Sequence, residues 1–270
     1  DDVSWGPNNQ FRFPKVGGTG AIWKALAKKI PAEKIKFSHT VGHIDSNSHT
    51  ITFSDGKTIA YEYLINTMPL DKFVQQSDFS GQIKKTTGRL LHSATHIVGI
   101  GLKGQPKADL KSKCWMYFPE NNCPFYRVTL FSKYSPHNVP DINKNFSLMC
   151  EISGSIEKPV DEKNLVKAVI EGLKNTKLIS DADEIISVWQ YKTDYGYPTP
   201  SVERDEILSE VQPVLMKKNI YSRGRFGMWK YEVSNQDHSL MQGKEVVDFL
   251  VNGEPEITAW HPEVVNRKRK

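Results

Sequence analysis

Apolar residues recur at four-residue spacing in a few stretches of this chain and alternate or cluster in most of the others. A few helices among many strands are therefore predicted. Ile22, Leu26 and Ile30 share one helical face, with Trp23 and Ala27 beside it. Gly17-Gly18-Thr19-Gly20 stands before them, with Thr19 or Gly20 as the cap. Leu165, Val169 and Leu173 repeat the spacing in a helix predicted over 161–173 and capped by Asp161. Two more helices are predicted over about 202–215 and 238–251, the second closed by Asn252-Gly253. Strand signals occupy 34–41, 50–53, 58–67, 92–102, 114–118, 125–132, 146–153, 184–191 and 220–229. Asp55-Gly56 supplies a hairpin turn, and Tyr63 to Pro69 reads as a buried strand ended by proline. The order is a βα segment, an antiparallel insertion and a closing strand–helix pair. That is an α+β chain whose predicted parts are 1–69, 70–212 and 213–270. A chain whose ends build one domain around another suits a cleft between domains.

Composition narrows the class. At 270 residues with 38% hydrophobic and 10% aromatic content the chain can bury a core. The net charge of +5 is mild, and Arg267-Lys268-Arg269-Lys270 reads as a solvated tail. No basic stripe or motif supports nucleic-acid binding. Three cysteines, Cys114, Cys123 and Cys150, form neither a disulfide framework nor a zinc site, and reduced cytosolic thiols account for them. No apolar run reaches the ~20 residues of a membrane span, and no signal peptide opens the chain. It begins Asp1-Asp2 rather than with Met, as a processed product, a fragment or the covered part of something longer would.

Four clusters carry chemistry. Gly17 to Gly20 could cradle a phosphate, but the spacing is neither G-x-G-x-x-G nor a Walker motif, and a closely packed helix entry is the plainer reading. Ser222-Arg223-Gly224-Arg225-Phe226-Gly227 sets two arginines around a glycine, which suits either an anion or a basic surface turn. Asn235-Gln236-Asp237-His238-Ser239 then opens a helix, as an ordinary cap or as a positive helix end facing a ligand. In the third cluster Trp115 and Tyr117 point one way by strand alternation, and Arg127 lies in an apolar run. There it needs an acidic partner or an anionic ligand. Tyr195-Gly196-Tyr197-Pro198-Thr199-Pro200 reads as a rigid turn presenting two phenols. The eight histidines form no metal-ligand pattern, and no serine or cysteine nucleophile motif is present. Anion-binding groups without a protein nucleophile fit a cofactor enzyme or a nucleotide-sugar binder.

Phe11-Arg12-Phe13-Pro14 with the following glycines, Cys114-Trp115-Met116-Tyr117-Phe118-Pro119-Glu120, Cys123-Pro124-Phe125-Tyr126-Arg127, Gly196-Tyr197-Pro198-Thr199-Pro200, Ser222 to Gly227 and Asn235 to Ser239 together resemble the UDP-galactopyranose mutases of the eukaryotic type. The resemblance runs from Trp5 to about Val265. It implies a partial FAD-binding, Rossmann-like domain related to the amine oxidases, with an inserted antiparallel β-sheet domain. It implies interconversion of UDP-galactopyranose and UDP-galactofuranose, by attack of reduced flavin N5 on the anomeric carbon, with NADPH as reductant. Galactofuranose for cell-wall or other glycans and a cytoplasmic location follow from the same likeness.

Residue by residue, Arg12 and Arg127 resemble the paired diphosphate-binding arginines, and Tyr134, Tyr197 and Tyr231 their phenolic helpers. Trp115, Tyr117, Arg225 and Asn235 resemble residues lining the sugar and flavin face. Val41 resembles the residue whose backbone meets the adenine, and Gly224, Arg225, Gln236 and Ser239 fall in the segment that contacts the flavin chain. No metal is implied. The family's Gly-rich βαβ unit, acidic ribose-binding residue, mobile substrate loop and uracil platform have no counterpart in these 270 residues. A flavin-binding segment, on the same or a complementing polypeptide, is therefore expected as partner, beside UDP-galactose and a homo-oligomer. The rival readings are a non-catalytic scaffold that kept the sheet, and an amine-oxidase-like flavin oxidoreductase.

Overall fold

The structure is a computed structural model, and it describes residues 12–267. In chain order the elements are α1 Gly20–Ala27, β1 Val41–Asp45, β2 Thr50–Phe53, β3 Thr58–Ala60, β4 Leu64–Asn66, α2 Leu70–Gln75, α3 Gly81–Thr87 and β5 His92–Lys103. Then come β6 Trp115–Tyr117, β7 Arg127–Leu130, β8 Asn145–Gly154, α4 Leu165–Asn175 and β9 Ile185–Pro198. The chain closes with α5 Arg204–Met216, β10 Ile220–Ser222, α6 Gln236–Asn252, α7 Ile257–Trp260 and α8 Pro262–Val265. Two compact units divide them. One takes the residues up to Lys36 with Thr95–Thr193, the other Phe37–Ala94 with the residues from Asp194.

The first unit is built on a sheet of order β6-β7-β8-β5-β9. Strands β6, β7 and β8 are antiparallel, with Tyr117 opposite Arg127 and Arg127 opposite Glu151. One residue along, Val128 is opposite Cys150, and the pleat turns that row to the other face. That other face is the core. Val98, Ile100 and Leu102 of β5, Val128 and Leu130 of β7, and Leu148, Cys150 and Ile152 of β8 pack with Leu165, Val169 and Leu173 of α4. Burying each such side chain stabilises by about 1.5–3 kcal/mol. The helix comes close because position 172 is glycine: a Cβ there would lie 2.8 Å from Pro124 Cδ and 2.9 Å from Cys123 Cβ. The three cysteines are unpaired, and burial raises the pKa of every one of their thiols. Helix α1 buries none of its residues, and Ile22 and Leu26 stay exposed.

The second unit holds an antiparallel meander β1-β2-β3 and a parallel pair of β4 with β10. Its core gathers Ile44, Phe73, Ile83, Ile207, Val211, Leu215, Ile220 and Trp229. Two polar features are set into it. Arg223 and Glu256 are both buried, and Arg223 Nη2 donates to Glu256 Oε1 at 2.5 Å while its Nε donates to Oε2. His92 stacks on Tyr195 with ring centroids 4.0 Å apart, the Tyr195 hydroxyl donates to Asp71 Oδ2 at 2.7 Å, and Lys72 Nζ lies 4.5 Å from the same ring.

Several predicted elements differ. The strand expected at 34–41 begins only at Val41. Pro31 leads into a short 3-10 turn over Ala32–Lys34, and Ser38 takes φ 60°. The return strand at 58–67 divides into β3 and β4, which join different sheets. The predicted turn at Tyr195 to Pro198 is the end of β9, where proline occupies the last strand position and removes no ladder bond beyond it. The long strand at 220–229 stops at Ser222, because Gly224 takes φ 85°. Asp161 accepts from Lys163 N and Asn164 N in a turn, and Asn164 stands at the N-cap of α4. Helices α2 and α3 were not foreseen, being under two turns long with no repeated apolar period.

Breaking the Arg223–Glu256 pair from one side should be costly. Glu256→Gln strands a buried guanidinium and should lower unfolding free energy by about 3–5 kcal/mol in denaturant titration. The double variant Arg223→Met with Glu256→Met should cost markedly less. Equal losses would mean that packing, not charge, holds this corner.

Burial holds His92 below the ordinary imidazole pKa, against the pull of Asp71. The neutral ring is thus favoured in the folded state. Its contribution is complete above about pH 6.5 and is lost as pH falls through the lower folded-state value. His92→Phe keeps the stack and should flatten the acid side of the stability profile below about pH 6.5, read as the melting temperature against pH.

Candidate functional site

Each unit gathers one group of the residues singled out from the sequence. In the first unit the residues opposite the core face of the sheet form two rows. Tyr117, Arg127 and Glu151 make one, and Trp115, Thr129 and Met149 the next. Arg127 is answered by an acid: Nη2 donates to Glu151 Oε1 at 2.6 Å and Nε donates to Oε2. Glu151 is buried and the Arg127 side chain is 22% exposed, so the pair sits at the rim of the apolar layer. Glu151 takes one edge of the guanidinium fork, and Nη1 on the other edge donates to the Tyr117 hydroxyl at 3.3 Å. The Tyr117 and Tyr126 rings lie 5.8 and 5.7 Å from the guanidinium carbon. Of the two readings left open for Arg127, the acidic partner is present. A guanidinium held in a fork by a carboxylate beside two aromatic rings is a fixed cation of the kind that binds anions.

The next row continues the surface. Trp115 Nε1 donates to the Tyr134 hydroxyl. Burial pushes that phenol up to about 12, so near neutral pH it acts as a hydrogen-bonding group and not as an anion. Phe13 packs on Tyr134 with centroids 4.9 Å apart and on Phe131 at 6.3 Å, and Ser135 Oγ donates to Lys15 O. These contacts strap residues 13–15 to the segment after β7, and Arg12, exposed, precedes the strap. Phe11 lies outside the described residues. Trp115, Tyr117, Arg127 and Tyr134 are therefore brought together, with Arg12 next in chain to a residue that touches Tyr134.

In the second unit Arg225, Tyr197 and Tyr231 converge. The Arg225 guanidinium carbon lies 4.8 Å from the Tyr197 ring centroid, and the Tyr197 and Tyr231 rings are 6.1 Å apart. The loop that carries Arg225 is tightly specified. At Gly227 a Cβ would fall 2.2 Å from Arg223 O, so only glycine fits. Gly224 N donates to Gln242 Oε1 at 2.7 Å, and Gln242 Nε2 donates to Val233 O at 2.9 Å. Gln242 is fully buried in α6 and so ties the arginine loop to the turn between Tyr231 and Asn235. Asn235 is the extended N-cap residue of α6, and its side chain makes no capping bond. The first helical bond is Ser239 N to Asn235 O, at the positive end of a 17-residue helix. His238 Nδ1 is buried there without a hydrogen-bond partner. Val41 sits elsewhere in this unit, at the start of β1 and opposite Phe53.

Sequence reasoning missed Glu151 and Gln242. A charge in the apolar run Met149-Cys150-Glu151-Ile152 was the available signal for the first. Nothing in the spacing of α6 marked the second. Among the described residues no group of His, Cys, Asp or Glu is placed to hold a metal ion, and no helix is long and apolar enough to cross a membrane.

No protein-family model matches the sequence. A crystal structure of reduced UDP-galactopyranose mutase matches with a TM-score of 0.94 and 43% identity, over 98% of this chain and 57% of that one. A CLA-producing fatty acid isomerase from P. acnes matches at TM-score 0.62 and 16% identity, over 87% of this chain and 52% of that one, a likeness of fold alone. The first match carries the partial FAD-binding fold with an inserted sheet that the motifs implied. The chain is a UDP-galactopyranose-mutase-like protein that spans 57% of the length of the mutase it matches.

Proposed function

We propose that this chain supplies the substrate-holding sheet and the closing flavin-side segment of a mutase that interconverts UDP-galactopyranose and UDP-galactofuranose. One observation carries the reading: Trp115, Tyr117 and Arg127 share a sheet face, Arg127 bonded to the Tyr117 hydroxyl and Trp115 to that of Tyr134, in a protein 43% identical to a UDP-galactopyranose mutase. A cationic fork flanked by phenols and an indole suits a diphosphate beside a flat base or a sugar face. Arg12 and Arg127 are proposed to hold the diphosphate. Tyr134, Tyr197 and Tyr231 would be their phenolic helpers, and Trp115, Tyr117 and Asn235 would line the sugar.

The second unit fits a flavin dinucleotide. The positive end of α6 and the His238 Nδ1 buried without a hydrogen-bond partner suit a pyrophosphate, and a Cβ at Gly224 would meet nothing within 4 Å. Gly224, Arg225, Gln236 and Ser239 would hold that group, with Val41 toward its adenine. When bound and reduced, the flavin would provide the nucleophile toward the anomeric carbon. The chain's own residues orient the sugar and neutralise the departing diphosphate. NADPH is the proposed reductant, and unpaired thiols suit a reducing compartment such as the cytoplasm. The eukaryotic type rests on the motif set alone.

The test uses the 270 residues joined to a flavin-binding segment of the mutase type, with UDP-galactofuranose conversion as readout. Product should form only after dithionite or NADPH treatment, and in many turnovers per reducing equivalent. Equal rates with oxidised flavin would sink the mechanism, and one reductant consumed per product would favour the oxidoreductase reading.

In the same assembly Arg127→Ala should lower turnover on the order of a hundredfold or more, since a charged contact to the leaving diphosphate is worth a few kcal/mol. Arg127→Lys should fall between Ala and the parent. Parent-like kinetics in the Ala variant would remove Arg127 from the site.

A further inference from the structure

Tyr231 is 51% exposed, so its own packing does little to fix it. It opens a short 3-10 turn, Tyr231–Val233, whose backbone sets the base from which the phenol reaches. The residues on either side of it are anchored. Lys230 Nζ donates to Ala259 O at 3.1 Å. The Glu232 carboxylate accepts from Arg204 at two points, Nη1 to Oε2 at 2.7 Å and Nη2 to Oε1 at 2.9 Å. Asn266 Nδ2 donates to the Glu232 carbonyl at 3.0 Å. Arg204 Nε and Nη2 also donate to Asp205 Oδ1, at 3.0 and 2.8 Å, and the plane of the guanidinium fork is thereby fixed.

Arg204 is 8% exposed and is the first residue of α5. For the helix itself that is a poor place for a cation. The first turn carries positive charge and favours Asp or Glu. Taking a guanidinium out of water adds a further cost unless it is paired. The pairing therefore answers a need outside α5. Glu232 is 28 residues away along the chain and adjoins Tyr231. Arg204 in turn ends the stretch that leaves Tyr197. That stretch contains Pro198 and Pro200, which stiffen it, and Thr199 N donates to Leu91 O at 2.8 Å. One ion pair thus joins the two segments that carry Tyr197 and Tyr231. Their rings are 6.1 Å apart, and the Arg225 guanidinium lies over the Tyr197 ring. Resting on the mutase reading above, in which these phenols help hold the departing diphosphate, we propose that Arg204 is a positioning residue of that site. Through Glu232 it holds the Tyr231 phenol beside Tyr197 and Arg225.

Two measurements test it. The first labels the 270-residue chain with 3-fluorotyrosine and assigns the fluorine NMR signals of Tyr197 and Tyr231 with Tyr197→Phe and Tyr231→Phe. Arg204→Gln should move the Tyr231 signal toward its position in the unfolded chain, with an unchanged far-UV spectrum. Arg204→Lys should move it less. Should Arg204→Gln fail to fold, Glu232→Gln weakens the same contact and should shift the signal the same way. The second measurement uses the chain joined to a flavin-binding segment of the mutase type. Arg204→Gln should lower kcat for UDP-galactofuranose conversion roughly tenfold, with KM changed less, and Arg204→Lys should recover part of the loss. In a Tyr231→Phe background the same substitution should cost less than about twofold, because both act through one phenol. A residue that only supports the fold would slow both backgrounds alike. An unmoved Tyr231 signal would overturn the proposal. So would the full loss on top of Tyr231→Phe, or parent kinetics in Arg204→Gln beside a slow Tyr231→Phe; the mutase reading would survive either. Parent kinetics in Tyr231→Phe itself would remove this phenol from the diphosphate site and overturn the proposal together with that part of the reading.

Discussion

A guanidinium set among the strands of an apolar sheet has to be matched by a negative charge, and in this molecule that requirement falls on Glu151. The carboxylate sits directly across from Arg127 and takes two of its donors. Remove it and the charge of Arg127 must find water through the sheet or be neutralised by something that arrives. With it in place, the plane of the fork is fixed, the adjoining phenol of Tyr117 is aimed, and the sheet's second face becomes a prepared surface and not a patch of exposed strand. The row works because the register is fixed. A slip of one residue in β7 would send Arg127 into the layer filled by Cys150 and Val128.

The second unit solves a related problem with neutral groups. A loop that must present Arg225 beside Tyr197 has a glycine in the left-handed region and another where no side chain fits, so its backbone amides need fixed partners. Gln242 supplies one, donating and accepting from a single buried amide side chain. Because it belongs to α6, the loop and the start of that helix are positioned by the same element. Arg223, which opens that loop, is itself held by its buried pair with Glu256.

Much of this was legible in the amino-acid order, for identifiable reasons. Strand alternation placed Trp115 and Tyr117 on one face, and the apolar run around Arg127 demanded a partner or a ligand. Leu165, Val169 and Leu173 marked α4 correctly because that helix has one wide apolar face. What escaped was long-range. Glu151 is 24 residues from Arg127, and only the β7–β8 register joins them. The split of 58–67 between two sheets depends on β10, more than 150 residues later in the chain, as the 156-residue separation of the Asn66–Ser222 bond records. Tyr195 and Tyr197 looked like a turn because glycine and prolines surround them. An edge strand tolerates those residues where a central strand would not.

The state of the three cysteines has a practical side. Thiols attack electrophiles and peroxides as thiolates, and burial disfavours that form at Cys114, Cys123 and Cys150 alike. The native chain should therefore react sluggishly with maleimides and iodoacetamide while folded. A single cysteine introduced on the surface would be modified first, so the protein can carry a site-specific spectroscopic probe without its own cysteines being removed.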